Sequence, residues 1–122
     1  MANFRDLDPS VGFRDQLQAQ SGPIVLANVM NVPPAELGEQ TKVWAADAAF
    51  MRAQPGFIST QLHRGIAGSG ALLNIAVWES AAALRAAFFT EEFQRQLAAY
   101  SPAVTVAPHI FERVAVPGIC IA

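Results

Sequence analysis

The chain is poor in the residues most often used for covalent staples and metal sites: among its 122 residues there are 1 cysteine and 2 histidines. Cys120 has no second cysteine to pair with, so an internal disulfide is excluded and the cytoplasm is the expected compartment. His63 and His109 are isolated from one another and from Cys120, without metal-ligand spacing, so no metal site is expected. Charge is scarce as well, with 15% charged residues and a formal net charge of −2. No Lys/Arg cluster exists to carry a phosphate footprint, which argues against nucleic acid as a partner. Long apolar runs are missing from Met1 to Gly22, where Arg5, Asp6, Asp8, Arg14 and Asp15 intervene, so neither a signal peptide nor a membrane span is expected there. Gly68 and Gly70 precede a strand, not a helix, and so lack the context of a phosphate loop.

What the chain has in abundance is apolar side chains, at 52%. Its length suits one domain, and so apolar a composition suggests that part of the surface closes against a second subunit. Met1 to Gly22 reads as a polar arm outside the core; Phe4, Leu7, Val11, Phe13 and Leu17 have loose helical spacing there, interrupted by Pro9 and Gly12. Residues 23–116 read as the folded domain and 117–122 as a tail. Ile24 to Val32 is apolar on both faces and stops at Pro33-Pro34, as a central strand does. Ala35 to Gln54 carries Leu37, Val43, Trp44, Ala48 and Met51 at helical spacing and ends at Pro55-Gly56.

Phe57 to Gly65 alternates as a second strand, with Ile58, Thr60 and Leu62 opposite Phe57, Ser59, Gln61 and His63. It turns through Ile66 to Gly70 into a third strand. That third stretch, Leu72 to Ser80, organises the rest. Leu73, Ile75 and Val77 point one way, while Leu72, Asn74, Ala76 and Trp78 point the other. An amide and an indole flanking a small alanine form what a pocket wall would need. Ser80 caps a helix from Ala81, Thr90 caps a second segment containing Phe93, Leu97 and Tyr100, and Val104 to Val116 supplies a last strand. Pro108 lacks an N–H and belongs on an edge or at a bulge.

The order β-α-β-β-α-β predicts a ferredoxin-like α+β fold, an antiparallel sheet with its helices on one face and the first and third strands central. Helices on one face leave the other bare. Because Leu73, Ile75 and Val77 fall on that bare face, a homodimer joined sheet to sheet is expected.

The run of helix, Pro55-Gly56-Phe57, a strand with His63, Asn74-Ile75-Ala76-Val77-Trp78-Glu79-Ser80 and a helix reaching Phe88 resembles the antibiotic biosynthesis monooxygenase family. The resemblance spans roughly Pro23 to Val116. It implies a dimeric α+β barrel and a small monooxygenase that needs no metal or organic cofactor, acting with O2 on an aromatic polycyclic molecule of the anthrone or quinol kind. It also admits a haem-degrading or haem-binding protein, or a non-catalytic small-molecule-binding dimer associated with stress. Asn74 and Trp78 match an Asn and a Trp in the pocket of the anthrone-oxidising members, and Asn28 stands where the haem-degrading members carry an Asn. The haem-ligating His of those members would fall near Leu97, and a pocket Tyr of the anthrone oxidisers at Leu84, while Arg85 beside it is retained.

Oxidation of an activated phenol or anthrone without a cofactor requires a carbanion that itself gives an electron to O2. The protein's task is then to lower the substrate's pKa and stabilise the enolate, for which uncharged donors in a dry pocket are suited. Asn74, Trp78 and Asn28 are the candidate catalytic residues on this reading. His63 is the candidate proton acceptor and Arg85 a candidate substrate clamp.

Overall fold

The computed structural model describes Met1 to Ala122. Its elements run β1 (Asn3–Phe4), α1 (Phe13–Gln16), β2 (Ile24–Asn31), a 3-10 turn (Pro34–Glu36), α2 (Leu37–Arg52), β3 (Phe57–Arg64), β4 (Ala71–Trp78), α3 (Ala81–Phe88), α4 (Glu91–Ala98) and β5 (Thr105–Phe111). From β2 onward this is the expected β-α-β-β-α-β order, with the second helical region split into two short helices. Ser80 accepts a hydrogen bond from the Ala83 N–H and Thr90 one from the Phe93 N–H. Each hydroxyl thereby satisfies an orphan donor at a helix start, which sets both boundaries locally.

The strands form one sheet in the order β1-β5-β2-β4-β3. β2 and β4 are the central neighbours, as expected, and pair antiparallel in unbroken register from Ile24↔Trp78 to Asn31↔Ala71. The helices pack on the face carrying Ile24 and Met30 of β2 and Leu72, Ala76 and Trp78 of β4, all buried. On the other face Val25, Ala27, Leu73, Ile75 and Val77 stay half-buried and Val29 is exposed. A single chain is thus an open sheet and not a closed barrel.

Gly56 fixes how α2 enters the sheet. Its φ is +88°, a left-handed conformation that favours glycine, and a side chain there would run into Ala83 of α3. The Glu79 N–H donates to the Gly56 carbonyl at 2.8 Å, which ties this turn to the end of β4.

Three expectations change. Met1 to Gly22 does not lie outside the core: Leu17 is 0% exposed, Phe13 is buried beside it in the main cluster, and β1 pairs in parallel with β5. The spacing of Phe13 and Leu17 is one helical turn, so a single turn of α1 delivers both to the same side while its charged residues face out. Arg85 Nη1 donates to the Leu17 carbonyl at 3.0 Å, and the Arg14 guanidinium lies over the rings of Phe88 and Phe89. Second, β3 carries a bulge between Phe57 and Ser59. Alternation is reset there, so Phe57 shares the helix side with Thr60 and Leu62 while Ile58 is exposed. Third, the last strand stops at Phe111; beyond it the chain makes only an isolated bridge between Val116 and Cys120.

Pro108 conforms to the edge rule. β1 covers only Thr105 and Val106 of β5, which leaves the outer side of Pro108 unpaired. One residue pair further on, the Ile110 N–H turns outward and donates to Gln16 Oε1 at 2.8 Å. The N-terminal segment therefore also closes the open edge of β5.

Candidate active site

Between the helices and the covered sheet face lies an apolar cavity. The empty space between its walls, mouth included, is about 770 Å³. Apolar walls come from every layer: Leu26 and Ala76 from the sheet, Met51 from α2, Phe88 and Phe93 from α3 and α4, and Phe4 and Phe13 from the N-terminal segment. Among them stand a few polar groups: Asn28, Thr60, Asn74, Asp47, Tyr100 and the indoles of Trp44 and Trp78. A mostly apolar concavity with a handful of convergent polar groups is the usual form of a small-molecule site.

Asn28 and Asn74 are register partners on β2 and β4, so their side chains project side by side into this space. The Asn28 carboxamide makes no hydrogen bond within the chain, and its Oδ1 is fully buried. Such an orphaned acceptor costs about 1–3 kcal/mol unless something else satisfies it. Asn74 is held from the neighbouring strand: Thr60 Oγ1 donates to Asn74 Oδ1 at 2.6 Å. That bond consumes the oxygen and leaves the Nδ2 donors free for a ligand. Trp78 is 1% exposed and stands edge-to-face against Phe57, with ring centroids 5.4 Å apart at 87°. Three of the five candidate residues, Asn28, Asn74 and Trp78, are therefore brought together.

The other two are not. His63 is register partner to Leu73 on the bare face of the sheet, where its Nδ1 lies 3.2 Å from the Leu73 carbonyl. Odd and even positions of a strand point to opposite sides, so the same alternation that turns Asn74 inward turns His63 away. Arg85 is spent on the Leu17 carbonyl and does not line the cavity. His109 is on the bare face too, beside Phe111. Leu97, where the haem-ligating His of the resembled family would fall, is part of the cavity wall, and no imidazole lines that wall. The residues present do not fit a haem held through histidine.

What the sequence reading overlooked is an acid. Asp47 lines the cavity from α2 and accepts a hydrogen bond from the Tyr100 hydroxyl at 2.9 Å. Burial pushes the Asp47 carboxyl up to about 6, opposed by the Tyr100 hydrogen bond. The Tyr100 phenol is raised as well, first by burial and then by the Asp47 charge it faces. A signal for this existed. Trp44, Asp47, Ala48 and Met51 follow the i, i+3, i+4, i+7 stripe of the buried helix face, and an acid in such a stripe needs a partner.

The antibiotic biosynthesis monooxygenase family model matches residues 23–99. No curated protein sequence matches the chain significantly. Among solved structures, the chain is similar to SnoaB, a cofactor-independent oxygenase from Streptomyces nogalater, at 28% identity and a TM-score of 0.70, over 80% of this chain and 99% of that one. It is also similar to PA3566 from Pseudomonas aeruginosa, at 25% identity and a TM-score of 0.67, over 80% and 99% of the two chains. A third similar structure is MhuD, in a variant carrying two manganese protoporphyrin IX molecules per active site, at 27% identity and a TM-score of 0.62, over 78% and 98%.

Proposed function

This chain belongs to the antibiotic biosynthesis monooxygenase family, and from that premise we propose that it is a cofactor-independent monooxygenase acting on a neutral aromatic polycycle of the anthrone or quinol kind. The observation that carries the reading is the unpartnered Asn28 carboxamide opposite the free Nδ2 of Asn74, next to the Trp78 indole in a mostly apolar cavity. A hydroxyl of the substrate donates to Asn28 Oδ1. The Asn74 amide and Trp78 indole N–H groups stabilise the negative oxygen of the enolate, their dipoles fixed in advance and little screened by water.

The enolate supplies the electrons. One passes to O2, the resulting radical and superoxide combine at carbon, and the peroxide takes up the proton first removed. With an anthrone, loss of water from that hydroperoxide leaves a carbonyl, so its CH2 and O2 become C=O and H2O. Phe57 orients the indole edge-on, and Thr60 fixes which end of the Asn74 amide faces the substrate.

Two subunits join through the bare sheet face, burying Val25, Ala27, Leu73, Ile75 and Val77. Helices leave this face uncovered, and an apolar strip of that size favours a second copy over water. Haem chemistry is the weaker reading because both histidines, His63 and His109, lie on the face away from the cavity.

Oxygen uptake by the purified protein with dithranol, a simple anthrone, tests the proposal. Wild-type protein consumes oxygen and forms the quinone, and Trp78→Phe slows it. Absence of uptake across a panel of anthrones and quinols, together with a Trp78→Phe variant altered only in stability, would overturn it in favour of a binding protein. A Soret shift on adding stoichiometric haemin would favour the haem reading.

A further inference from the structure

An oxygenase that works through an enolate needs somewhere to put the substrate's proton, and His63 is on the wrong side of the sheet. Of the side chains lining the cavity, Asp47 and Tyr100 alone are titratable, and they are bonded to each other. The pair joins two elements: Asp47 stands in the middle of α2, and Tyr100 follows the end of α4 and is 6% exposed. Nothing else satisfies the carboxylate. The other ionisable side chains of these two helices are Glu39, Lys42, Arg52, Glu91, Glu92 and Arg95; Glu92 is half-buried and the rest are exposed, all but Arg52 pair among themselves at the surface, and Arg52 makes no ion pair. No charged side chain reaches the cavity from β2, β3, β4 or β5.

A largely buried carboxylate without a cation is costly to keep for structure alone. One with a tyrosine on a single oxygen and a cavity beside it has a free oxygen to offer.

We propose that Asp47, positioned by Tyr100, is the proton acceptor of this site and that its substrate is a neutral weak acid, a phenol or an anthrone methylene. The inference rests on the oxygenase reading given above. Asp47 Oδ2 receives the Tyr100 hydrogen bond and the other carboxylate oxygen takes the substrate proton, giving the neutral carboxylic acid and the enolate. After the enolate has passed an electron to O2 and the radical pair has combined, the acid returns that proton to the peroxide. No net proton is gained or lost. Burial supports this assignment, since it brings the Asp47 carboxyl to about 6, close to the pH at which a base works best. The single negative charge also selects against substrates that carry carboxylates of their own.

The steady-state pH profile of dithranol oxidation tests the proposal. In wild-type protein kcat/KM rises with pH on an acid limb centred near the Asp47 value and then levels. Asp47→Asn lowers kcat by a factor on the order of 10² to 10⁴ and abolishes that limb, and Asp47→Glu recovers part of the rate. Tyr100→Phe moves the acid limb to higher pH, because the Tyr100 hydrogen bond holds the carboxyl down. A second readout does not depend on turnover. The chain has 1 tyrosine, so phenolate absorbance reports Tyr100 alone. It ionises at lower pH in Asp47→Asn than in wild type. Oxygen uptake by wild-type protein with an unchanged rate and pH profile in Asp47→Asn would overturn the assignment and leave the oxygenase reading standing. No uptake by wild type would remove both. A phenolate titration identical in wild type and Asp47→Asn would show that the two groups are not paired, which also overturns it.

Discussion

Asn28 and Asn74 stand directly opposite each other on the two central strands, and they differ in how they are held. Asn74 is pinned through its oxygen by Thr60, while Asn28 has no partner in the chain. One amide is thus preset and the other is waiting. Replacing Asn74 with Ala is expected to lower kcat on the order of a hundredfold, the usual cost of one enolate-stabilising donor. Asn28→Leu is expected to raise thermal stability, because it removes the orphaned acceptor, while reducing turnover. Oxygen uptake and thermal melts on the same two variants measure both effects.

Stability should fall as pH rises through the range in which Asp47 titrates. The carboxyl is raised from 3.8 to about 6, so between those values the folded chain binds more protons than the unfolded one. Folding is therefore favoured on the acid side, and the contribution is lost as pH passes the folded value. Its size is at most about 3 kcal/mol. Urea unfolding at pH 4 and pH 7 measures it as the difference between wild type and Asp47→Asn, whose curves converge in acid and separate toward neutrality, with the variant the more stable.

The N-terminal segment should behave as part of the core. Leu17 is 0% exposed and accepts the Arg85 hydrogen bond through its carbonyl. Leu17→Ala is expected to cost about 2–5 kcal/mol, in the range for a buried leucine. Denaturant midpoints give the value directly, and an effect below about 0.5 kcal/mol would mean the segment is a surface strap.

The bare sheet face should govern assembly. Ile75→Glu places a charge in the middle of the apolar strip without touching the cavity side of β4, so it is expected to convert a dimer to a monomer in sedimentation velocity. A wild-type protein that sediments as a monomer would sink the sheet-to-sheet arrangement. His63→Ala, on the same face, is expected to leave the rate of oxygen uptake unchanged.

Local periodicity carried much of this molecule. The two-residue alternation in Leu72 to Ser80 is enough to put Asn74, Ala76 and Trp78 on one side and Leu73, Ile75 and Val77 on the other. Pro55-Gly56, Ser80 and Thr90 set their boundaries through chemistry within a few residues of each. Those signals are legible because backbone geometry and side-chain spacing act over single turns.

Other features depend on parts of the chain that meet only after folding. Alternation says which residues share a side but not what covers that side, so it does not exclude His63 from the site; the packing of the helices on the opposite face does. The bulge at Ile58 shifts Phe57 to Trp78's side, and one extra residue of that kind leaves no mark in a pattern of period two. Asp47 meets Tyr100 across 53 positions of sequence, and Phe13 and Leu17 look like scattered apolar residues in a charged arm until the sheet and α3 receive them. By itself the sequence determined the order of elements from β2 to β5 and the two faces of β4. Tertiary packing decided which face is the cavity, which acid looks into it and where the arm goes, because burial and long-range pairing exist only once distant segments exclude water together.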